Sequence, residues 1–396
     1  MSSGLAIDAN ESLYERLRSF DTPPLSLESR AGALQRFLTI PSGRDRPGRF
    51  WRVDFEKIAP DASTIDFAAG SIEVESADSA VLVCDLATAA RETPLLLARA
   101  FGKTGIAATK FGALAAAFAG RGVFAYVPAD HGCEEPIVIR YHAGAGTAMF
   151  PWTVVLAERG ARVTIVERLT AEESFVCGAT EIISAEHADV TYAVLQTAGK
   201  GARVISNRWA CPGRDSRVAW ALAELGAEMT AGDVRVTVEE PGVDVRITAL
   251  FFPRATEHVD LVSTVEHAAG EASSETLVKS AARERGQARF LGNIRIAPHA
   301  QGSDARLRDD ALLLSTTAHV DSVPALEIGA NDVKAYHGAT VGAIDADQMF
   351  YIQSRGIEPI EAERMIALGF FEPAVEAFPS AKLRDEIRTG LAEKLS

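Results

Sequence analysis

A short pattern recurs between residues 123 and 335, and it restricts the fold of this chain more than any other feature. A small or β-branched residue precedes a charged residue and then a valine, as in Ala161-Arg162-Val163. The intervals between Val163, Val190, Val204, Val218 and Val245 are long, short, short and long, and the long interval is close to twice the short one. Strands that recur at fixed chain intervals stack on one another in repeat folds. The pattern therefore predicts a parallel β-helix with two short strands per half-coil, in which each valine is buried against the next turn.

The rest of this zone has the composition of many short strands. From Val123 to Ala335 the apolar runs are four to six residues long, rich in Val and Ile, and bounded by Gly, Asp, Asn or Pro. Only Ser274 to Arg285 resembles a helix, so a doubly wound α/β sheet, which needs crossover helices, is disfavoured. A β-sandwich is the competing architecture. It usually joins its strands by Asn-Gly or Asp-Gly hairpins, and the sequence contains neither dipeptide.

Helical regions are expected on both sides of the core, which we assign to residues 121–342. Residues 1–120 form a helical and mixed N-terminal region, in which capping residues and apolar runs predict four segments. These segments are Glu11–Phe20 after Asn10, a segment from Ser26 or Ser29 to Leu38, Glu92–Phe101 and Thr104–Phe118.

Residues 343–396 are predicted to form a C-terminal helical domain. Asp345 is a candidate cap for Ala346 to Ser354, Pro359 stands at the first position of a second helix, and a final helix runs from Ala381 to Leu395. These helices are too short to bury a core of their own. Their apolar faces are therefore expected either to dock on the β domain or to hold a partner protein.

Charge and composition exclude several classes of function. The net charge of −14 disfavours a nucleic-acid partner. Residues Met1 to Phe20 lack the apolar run of a signal peptide, and the most apolar stretch, Ile106 to Ala119, is too short to span a membrane. The four cysteines contain no Cys-x-x-Cys pair, so neither a disulfide framework nor a zinc ribbon is indicated. These features predict a cytoplasmic protein.

Nucleotide and hydrolase motifs are incomplete. Gly102-Lys103-Thr104 resembles the end of a phosphate loop, but Leu97 occupies the position of the required first glycine. Gly144-Ala145-Gly146 begins a dinucleotide fingerprint whose third glycine is replaced by Met149. No metal-hydrolase or serine-esterase motif is present. The sequence thus predicts a chain that binds no nucleotide and is not an enzyme.

Five blocks near the C-terminal end of the core carry a specific resemblance to a known family. The blocks are Pro324-Ala325-Leu326-Glu327-Ile328, Asn331-Asp332-Val333-Lys334, His337-Gly338-Ala339-Thr340-Val341-Gly342, Phe350–Ile357, and Glu361-Ala362 with Gly369-Phe370. In order and spacing they resemble the SufB/SufD family, the scaffold proteins of the SUF iron-sulfur cluster assembly system. Weaker blocks extend the resemblance over about residues 105–378.

The resemblance implies a mainly β protein with a right-handed parallel β-helix core and flanking helical regions. It implies a non-catalytic scaffold that pairs with a SufB-type homologue and, through its C-terminal helices, with a SufC-type ABC ATPase. A transient iron-sulfur cluster at the interface with the homologue is the expected cargo. Two alternatives stay open: a homodimer or other homo-oligomer that acts without a separate paralogue, and a β-helix carbohydrate-active enzyme.

Three residues are candidates for the chemistry that the resemblance implies. His337 and the Leu-Glu-Ile run resemble the D type, although Ala335 replaces the cysteine that the D type commonly has two residues before its histidine. His337 is the predicted metal ligand at the interface, and Glu327 is a predicted supporting or iron-binding carboxylate. Cys211 resembles the B-type cysteine implicated in receiving sulfur, and its alternative role is a buried apolar residue.

Overall fold

The computed structural model describes residues 13–17, 24–41 and 70–396. Among these described residues strands predominate over helices, with 45% in strands and 23% in helices. The strands are β1 (Ser71–Glu75), β2 (Leu82–Asp85), β3 (Arg121–Val127), β4 (Ile137–Ala143), β5 (Ala148–Met149), β6 (Pro151–Ala157), β7 (Arg162–Ala171), β8 (Phe175–Ser184), β9 (Asp189–Gln196), β10 (Arg203–Pro212), β11 (Arg217–Glu224), β12 (Met229–Val238), β13 (Asp244–Phe251), β14 (His258–His267), β15 (Ser273–Ala282), β16 (Gln287–Ile296), β17 (Asp304–Leu313), β18 (His319–Ile328) and β19 (Lys334–Ala343).

Two long sheets form the core, and from β6 onward successive strands alternate between them. The nine-stranded sheet has the order β1-β4-β7-β9-β11-β13-β15-β17-β19. The ten-stranded sheet has the order β18-β16-β14-β12-β10-β8-β6-β3-β2, and its tenth strand, β5, pairs with β8 beside this path. All neighbours are parallel except at one end, where β1 pairs with β4 and β2 pairs with β3 in antiparallel fashion. The chain winds through about eight turns of a parallel β-solenoid. The predicted β-helix is confirmed, and the alternative β-sandwich is wrong.

The valines of the sequence repeat form a ladder in the interior. Val190 is the register partner of both Val163 and Val218, and Val218 is also paired with Val245. Val204 lies in the opposite sheet, and all five valines are at most 3% exposed. The short interval of the repeat carries the chain from one sheet to the other, and the long interval, as from Val163 to Val190, is one full coil. Each half-coil thus holds one strand rather than the predicted two.

Several helices are confirmed. The helices are α1 (Leu27–Thr39), α2 (Leu86–Glu92), α3 (Pro94–Leu97), α4 (Lys110–Phe118), α5 (Ala346–Gln353), α6 (Pro359–Val375) and α7 (Ala381–Leu395). Ser26 caps α1 and Asp345 caps α5 through their side chains, and Pro359 occupies the first turn of α6. Residues 13–17 are helical, within the predicted Glu11–Phe20 segment, whereas the proposed Asn10 cap lies outside the described residues.

One predicted helix is wrong, one helix-like stretch is a strand, and two strands of the N-terminal region were not predicted. Residues Ser274 to Arg285 were expected to resemble a helix, but Ser273–Ala282 is strand β15, paired on both sides. The expected helix from Glu92 to Phe101 is wrong: α2 already ends at Glu92, and only the short α3 follows within this range. Pro94 cannot continue α2 and instead starts a new helical turn. β1 and β2 belong to the N-terminal region and complete one end of the two sheets.

Helices cover the outer face of each sheet. Leu34 of α1 and Leu114 of α4 pack with Trp152 and Phe175 of the ten-stranded sheet. Phe371 of α6 and Leu391 of α7 belong to a buried cluster on the nine-stranded sheet. The apolar faces of α6 and α7 therefore dock on the β domain, the first of the two predicted alternatives. No helix in the described part of the chain is long and apolar enough to cross a membrane.

Candidate functional site at the open end of the β-helix

The last coil of the β-helix, formed by β18 and β19, has no further coil above it. Each of these strands is the terminal strand of its sheet, so one row of backbone groups has no ladder partner among the described strands. Four large apolar side chains are exposed on this coil, namely Val323, Ile328, Tyr336 and Val341. An unpaired edge with exposed apolar side chains is typical of a surface that pairs with another chain.

His337 lies in the middle of β19 and occupies an interior position. It is the register partner of Leu307, which is 1% exposed and belongs to the core of the solenoid. The imidazole therefore extends the column of interior side chains to which Leu307 belongs. It is exposed because no further coil covers it. Its side chain forms no hydrogen bond with any residue of the described ranges. Both ring nitrogens are available to a metal ion or to a group from another chain.

The structure does not bring Glu327 to the imidazole of His337. Leu326 packs against the interior core, so Glu327, the next residue of the extended strand, faces the outer surface. Its carboxylate forms an exposed ion pair with Arg295, at 3.2 Å from Nε. The carboxylate therefore points to a different face of the coil from His337, and iron binding by Glu327 stays a prediction.

Cys211 is also separate from the open end. It lies near the end of β10, four strands from β18 in the ten-stranded sheet, which corresponds to about 19 Å at the usual strand spacing. Burial, reinforced by the nearby Glu239 and Glu181, raises the pKa of its thiol to about 11. The thiol is therefore protonated at neutral pH and a poor nucleophile in this state. Cys211 is half-buried, and its part in sulfur transfer stays a prediction.

Asp309, which the sequence analysis did not single out, lies close to His337 in the interior. It follows Leu307 by two residues in β17, which places its Cα about 8 Å from that of His337 by strand geometry. Asp309 is 1% exposed, and the hydroxyl of Ser322 donates a hydrogen bond to its carboxylate. Burial raises its pKa to about 7. The alternation of β17, in which Leu307 and Asp309 share a face, was the available signal for this residue.

The neighbouring carboxylate, Asp310, has the opposite environment. Lys279 Nζ lies 2.7 Å from Asp310 Oδ2, and Thr340 Oγ1 donates to Oδ1 at 2.7 Å. Burial acts to raise the pKa of Asp310, but these hydrogen bonds outweigh burial and hold the pKa below its usual value. Asp310 thus remains ionised and ties β19 to β17, while Asp309 can carry a proton near neutral pH.

A second exposed surface lies on the C-terminal helices. Phe350 and Tyr351 of α5 are 73% and 59% exposed, and Ile360 and Met365 of α6 are also exposed. No residue of α5 is buried. The apolar residues of α5 therefore do not contribute to the core, in contrast to those of α6 and α7.

The phosphate-loop fragment has an internal partner. The backbone N–H groups of Gly102 and Thr104 donate to the carboxylate of Glu181 at 2.7 and 3.1 Å, and the indole of Trp152 donates to it at 2.9 Å. Glu181 is fully buried. Backbone donors of the kind that bind phosphate are thus occupied by a carboxylate of the same chain.

These features define a β-solenoid protein with a helical cover on each sheet and an uncapped last coil. The chain belongs to the SufBD family, because residues 139–370 match the family model described as SUF system FeS cluster assembly, SufBD core domain. The matched residues run from within β4 through β19 and α5 to the middle of α6. The resemblance inferred from the sequence blocks is confirmed, and it favours the assembly family over a carbohydrate-active enzyme.

Curated relatives support the D type. The chain is 29% identical over 334 residues to the iron-sulfur cluster assembly protein SufD of Bacillus subtilis, a match that covers 82% of this chain and 76% of the relative. It is 38% identical over 171 residues to SufD of Escherichia coli, covering 43% of this chain and 40% of that protein. It is also 30% identical to protein ABCI7, chloroplastic, of Arabidopsis thaliana, over 66% of this chain and 58% of the relative.

Proposed function

We propose that this chain is the non-catalytic SufD-type scaffold subunit of a cytoplasmic SUF complex that builds and transfers iron-sulfur clusters. The observation that carries the proposal is the open last coil, in which two terminal strands leave His337 facing the end of the interior. A SufB-type homologue with a similar terminal coil supplies strands that satisfy the exposed backbone groups.

In this arrangement His337 is the ligand that this chain contributes to a nascent cluster. Thiolates bind iron and sulfide strongly, and a neutral imidazole is a competent but weaker iron ligand. A cluster held between a partner's thiolate and His337 would therefore be released more readily than one held by thiolates alone. Asp309, one coil below, is a group that can exchange a proton near neutral pH as the charge at His337 changes.

Docking of a SufC-type ATPase is assigned to the exposed apolar residues of α5 and the start of α6. This chain has no intact phosphate loop, and its Gly102-Lys103-Thr104 turn binds Glu181. Nucleotide hydrolysis therefore falls to the ATPase partner.

Replacement of His337 by alanine tests the ligand role. The complex is co-expressed with its SufB-type and SufC-type partners and purified anaerobically, and its iron and sulfide contents are measured. We expect H337A to form the complex while losing at least half of the bound iron and sulfide. His319, an exposed histidine of β18, provides the matched control H319A, which should retain the wild-type content.

An intact H337A complex with unchanged iron and sulfide would overturn the ligand role. Loss of the complex in H337A alone would instead assign His337 a structural role in the interface. The homo-oligomeric alternative remains, because the terminal strands could pair with those of a second copy. A stable homodimer of the chain purified without partners, measured by light scattering, would favour that alternative.

A further inference from the structure

A cluster of three different metal-ligating side chains lies at the opposite end of the β-helix. Asp78 belongs to the loop between β1 and β2, while His131 and Cys133 belong to the loop between β3 and β4. One ligand atom from each of the three residues lies within 4.8 Å of the other two. Asp78 Oδ2 and His131 Nε2 are already in hydrogen-bond contact at 2.6 Å.

The backbone, rather than the side chains, places His131 and Cys133 together. Gly132 forms a parallel bridge with Arg162, whose N–H donates to the carbonyl of His131 at 2.8 Å. The N–H of Cys133 donates in turn to the carbonyl of Arg162 at 2.9 Å. Residues two apart in an extended segment face the same side. The start of β7 thus fixes the imidazole and the thiol side by side.

Asp78 is positioned from the other loop. Its Oδ1 accepts a hydrogen bond from the N–H of Ala80 at 3.0 Å, which leaves Oδ2 directed at His131. The side chains of His131 and Asp78 are 28% and 25% exposed, so solvent reaches the cluster from one side. The hydrogen bond from His131, helped by that from Ala80, lowers the pKa of Asp78. Burial, followed by the charge of Asp78, raises the pKa of Cys133.

We propose that Asp78, His131 and Cys133 bind one thiophilic divalent metal ion of the zinc or iron(II) class, with a fourth position open to solvent. Three protein ligands with one position left to water are the usual arrangement of an open, rather than a closed structural, zinc site. The thiolate selects such ions over magnesium and calcium, which prefer oxygen ligands. Ligand atoms in a tetrahedral site are about 3.5 Å apart, so small side-chain rotations convert the present cluster into a metal site.

Binding of the ion would release one proton and would link two parts of the fold. The thiol of Cys133 releases its proton to solvent when it becomes a ligand, and His131 binds through a neutral ring nitrogen. The ion would then connect the β1–β2 loop to the first coils of the β-helix. This inference does not depend on the proposed role of His337, which lies at the other end of the molecule.

Cobalt(II) is the probe that tests the site. The full-length reduced chain is freed of metal with a chelator and titrated with Co²⁺ under anaerobic conditions. We expect one equivalent to bind with a thiolate-to-cobalt charge-transfer absorption. C133S should remove this absorption, and both C133S and H131A should weaken binding at least tenfold, because even the loss of an outer partner of a metal ligand costs 10–100-fold. Separate additions of Zn²⁺ and Fe²⁺ show which ion displaces cobalt at the lower concentration.

Two matched variants separate the site from other candidate ligands. Cys84 is a half-buried free cysteine, and His187 belongs to an exposed cluster with Glu186 and Asp215 that contains no thiol. C84S and H187A should bind Co²⁺ like the wild type. Asp78→Asn, in an exposed loop, provides a further variant if H131A or C133S unfolds, as judged by circular dichroism. Absence of binding by the wild type, or charge-transfer absorption that persists in C133S, would overturn the proposal.

Discussion

At the scale of single residues, the two adjacent carboxylates of β17 should respond to pH in opposite directions. Burial raises the pKa of Asp309 from 3.8 to about 7, so ionisation of this group opposes folding. Its stabilising contribution is complete below about pH 4 and is lost as the pH rises through about 7. Asp309→Asn stays neutral, and its free energy of unfolding relative to the wild type should therefore increase by a few kcal/mol between pH 4 and pH 8. Urea unfolding at a series of pH values measures this difference.

Asp310→Asn is the matched control for this prediction. The pKa of Asp310 is lowered, so its contribution is present above the ordinary carboxyl pKa and is lost as the pH falls. Breaking its buried pair with Lys279 should cost about 3 kcal/mol or more at pH 8 and nearly as much at pH 4, and this cost should fall only below about pH 4. Equal pH dependence of the two variants would contradict the assigned environments.

Sequence reasoning located His337 but not its surroundings. The blocks around His337 identify the residue, whereas the interior position of its side chain depends on the register with Leu307, one full coil earlier in the chain. Glu327 is close to His337 in sequence, yet the alternation of β18 directs it to the outer face. Cys133 and Cys211 are both half-buried, and the residues around each thiol include ones that are distant in the sequence, such as Asp78 and Glu181. The surroundings of these side chains depend on which strands pair across the coils, and a single sequence does not specify that pairing.

At the scale of the strands, the interior ladder of valines should carry much of the stability. Val190 is fully buried between Val163 and Val218, so V190A removes two methyl groups from a packed position. We expect the free energy of unfolding to fall by about 1 to 3 kcal/mol through lost burial and a residual cavity. Val74 of β1 is 40% exposed, and V74A should cost less than about 1 kcal/mol. Similar losses in the two variants, measured by urea unfolding, would contradict the ladder.

The repeat was readable because every coil needs a small or β-branched residue at the same interior position. The strands β1 and β2 lack this pattern. In β1, Ile72 and Val74 alternate with Glu73 and Glu75, and this alternation by itself indicates a strand. Its antiparallel partner is β4, and β2, β3 and several helices lie between the two strands in the chain, so the sequence does not indicate this pairing. Likewise, the Gly102-Lys103-Thr104 turn has the composition of an anion-binding loop, and only the fold shows that its partner is the side chain of Glu181.

At the scale of the whole molecule, the C-terminal helices have two separate tasks. α6 and α7 bury Leu250 of β13 and Phe252, which directly follows this strand, whereas α5 presents Phe350 to solvent. Deletion of residues 344–396 would therefore expose an apolar face of the β-helix as well as remove the proposed ATPase surface. Point substitutions on α5 separate the two effects.

Phe350→Glu is the corresponding test of ATPase docking. Phe350 is 73% exposed, so a charge at this position should change the free energy of unfolding by no more than about 0.5 kcal/mol. In a complex the same charge would be buried without a partner, and we expect the SufC-type ATPase recovered with the tagged chain to fall at least tenfold. Leu95→Glu makes the same kind of change on α3, where Leu95 is 83% exposed, and should leave recovery unchanged. Normal recovery with F350E at an unaltered melting temperature would place the ATPase elsewhere, since the most exposed apolar side chain of α5 would then be irrelevant to its binding.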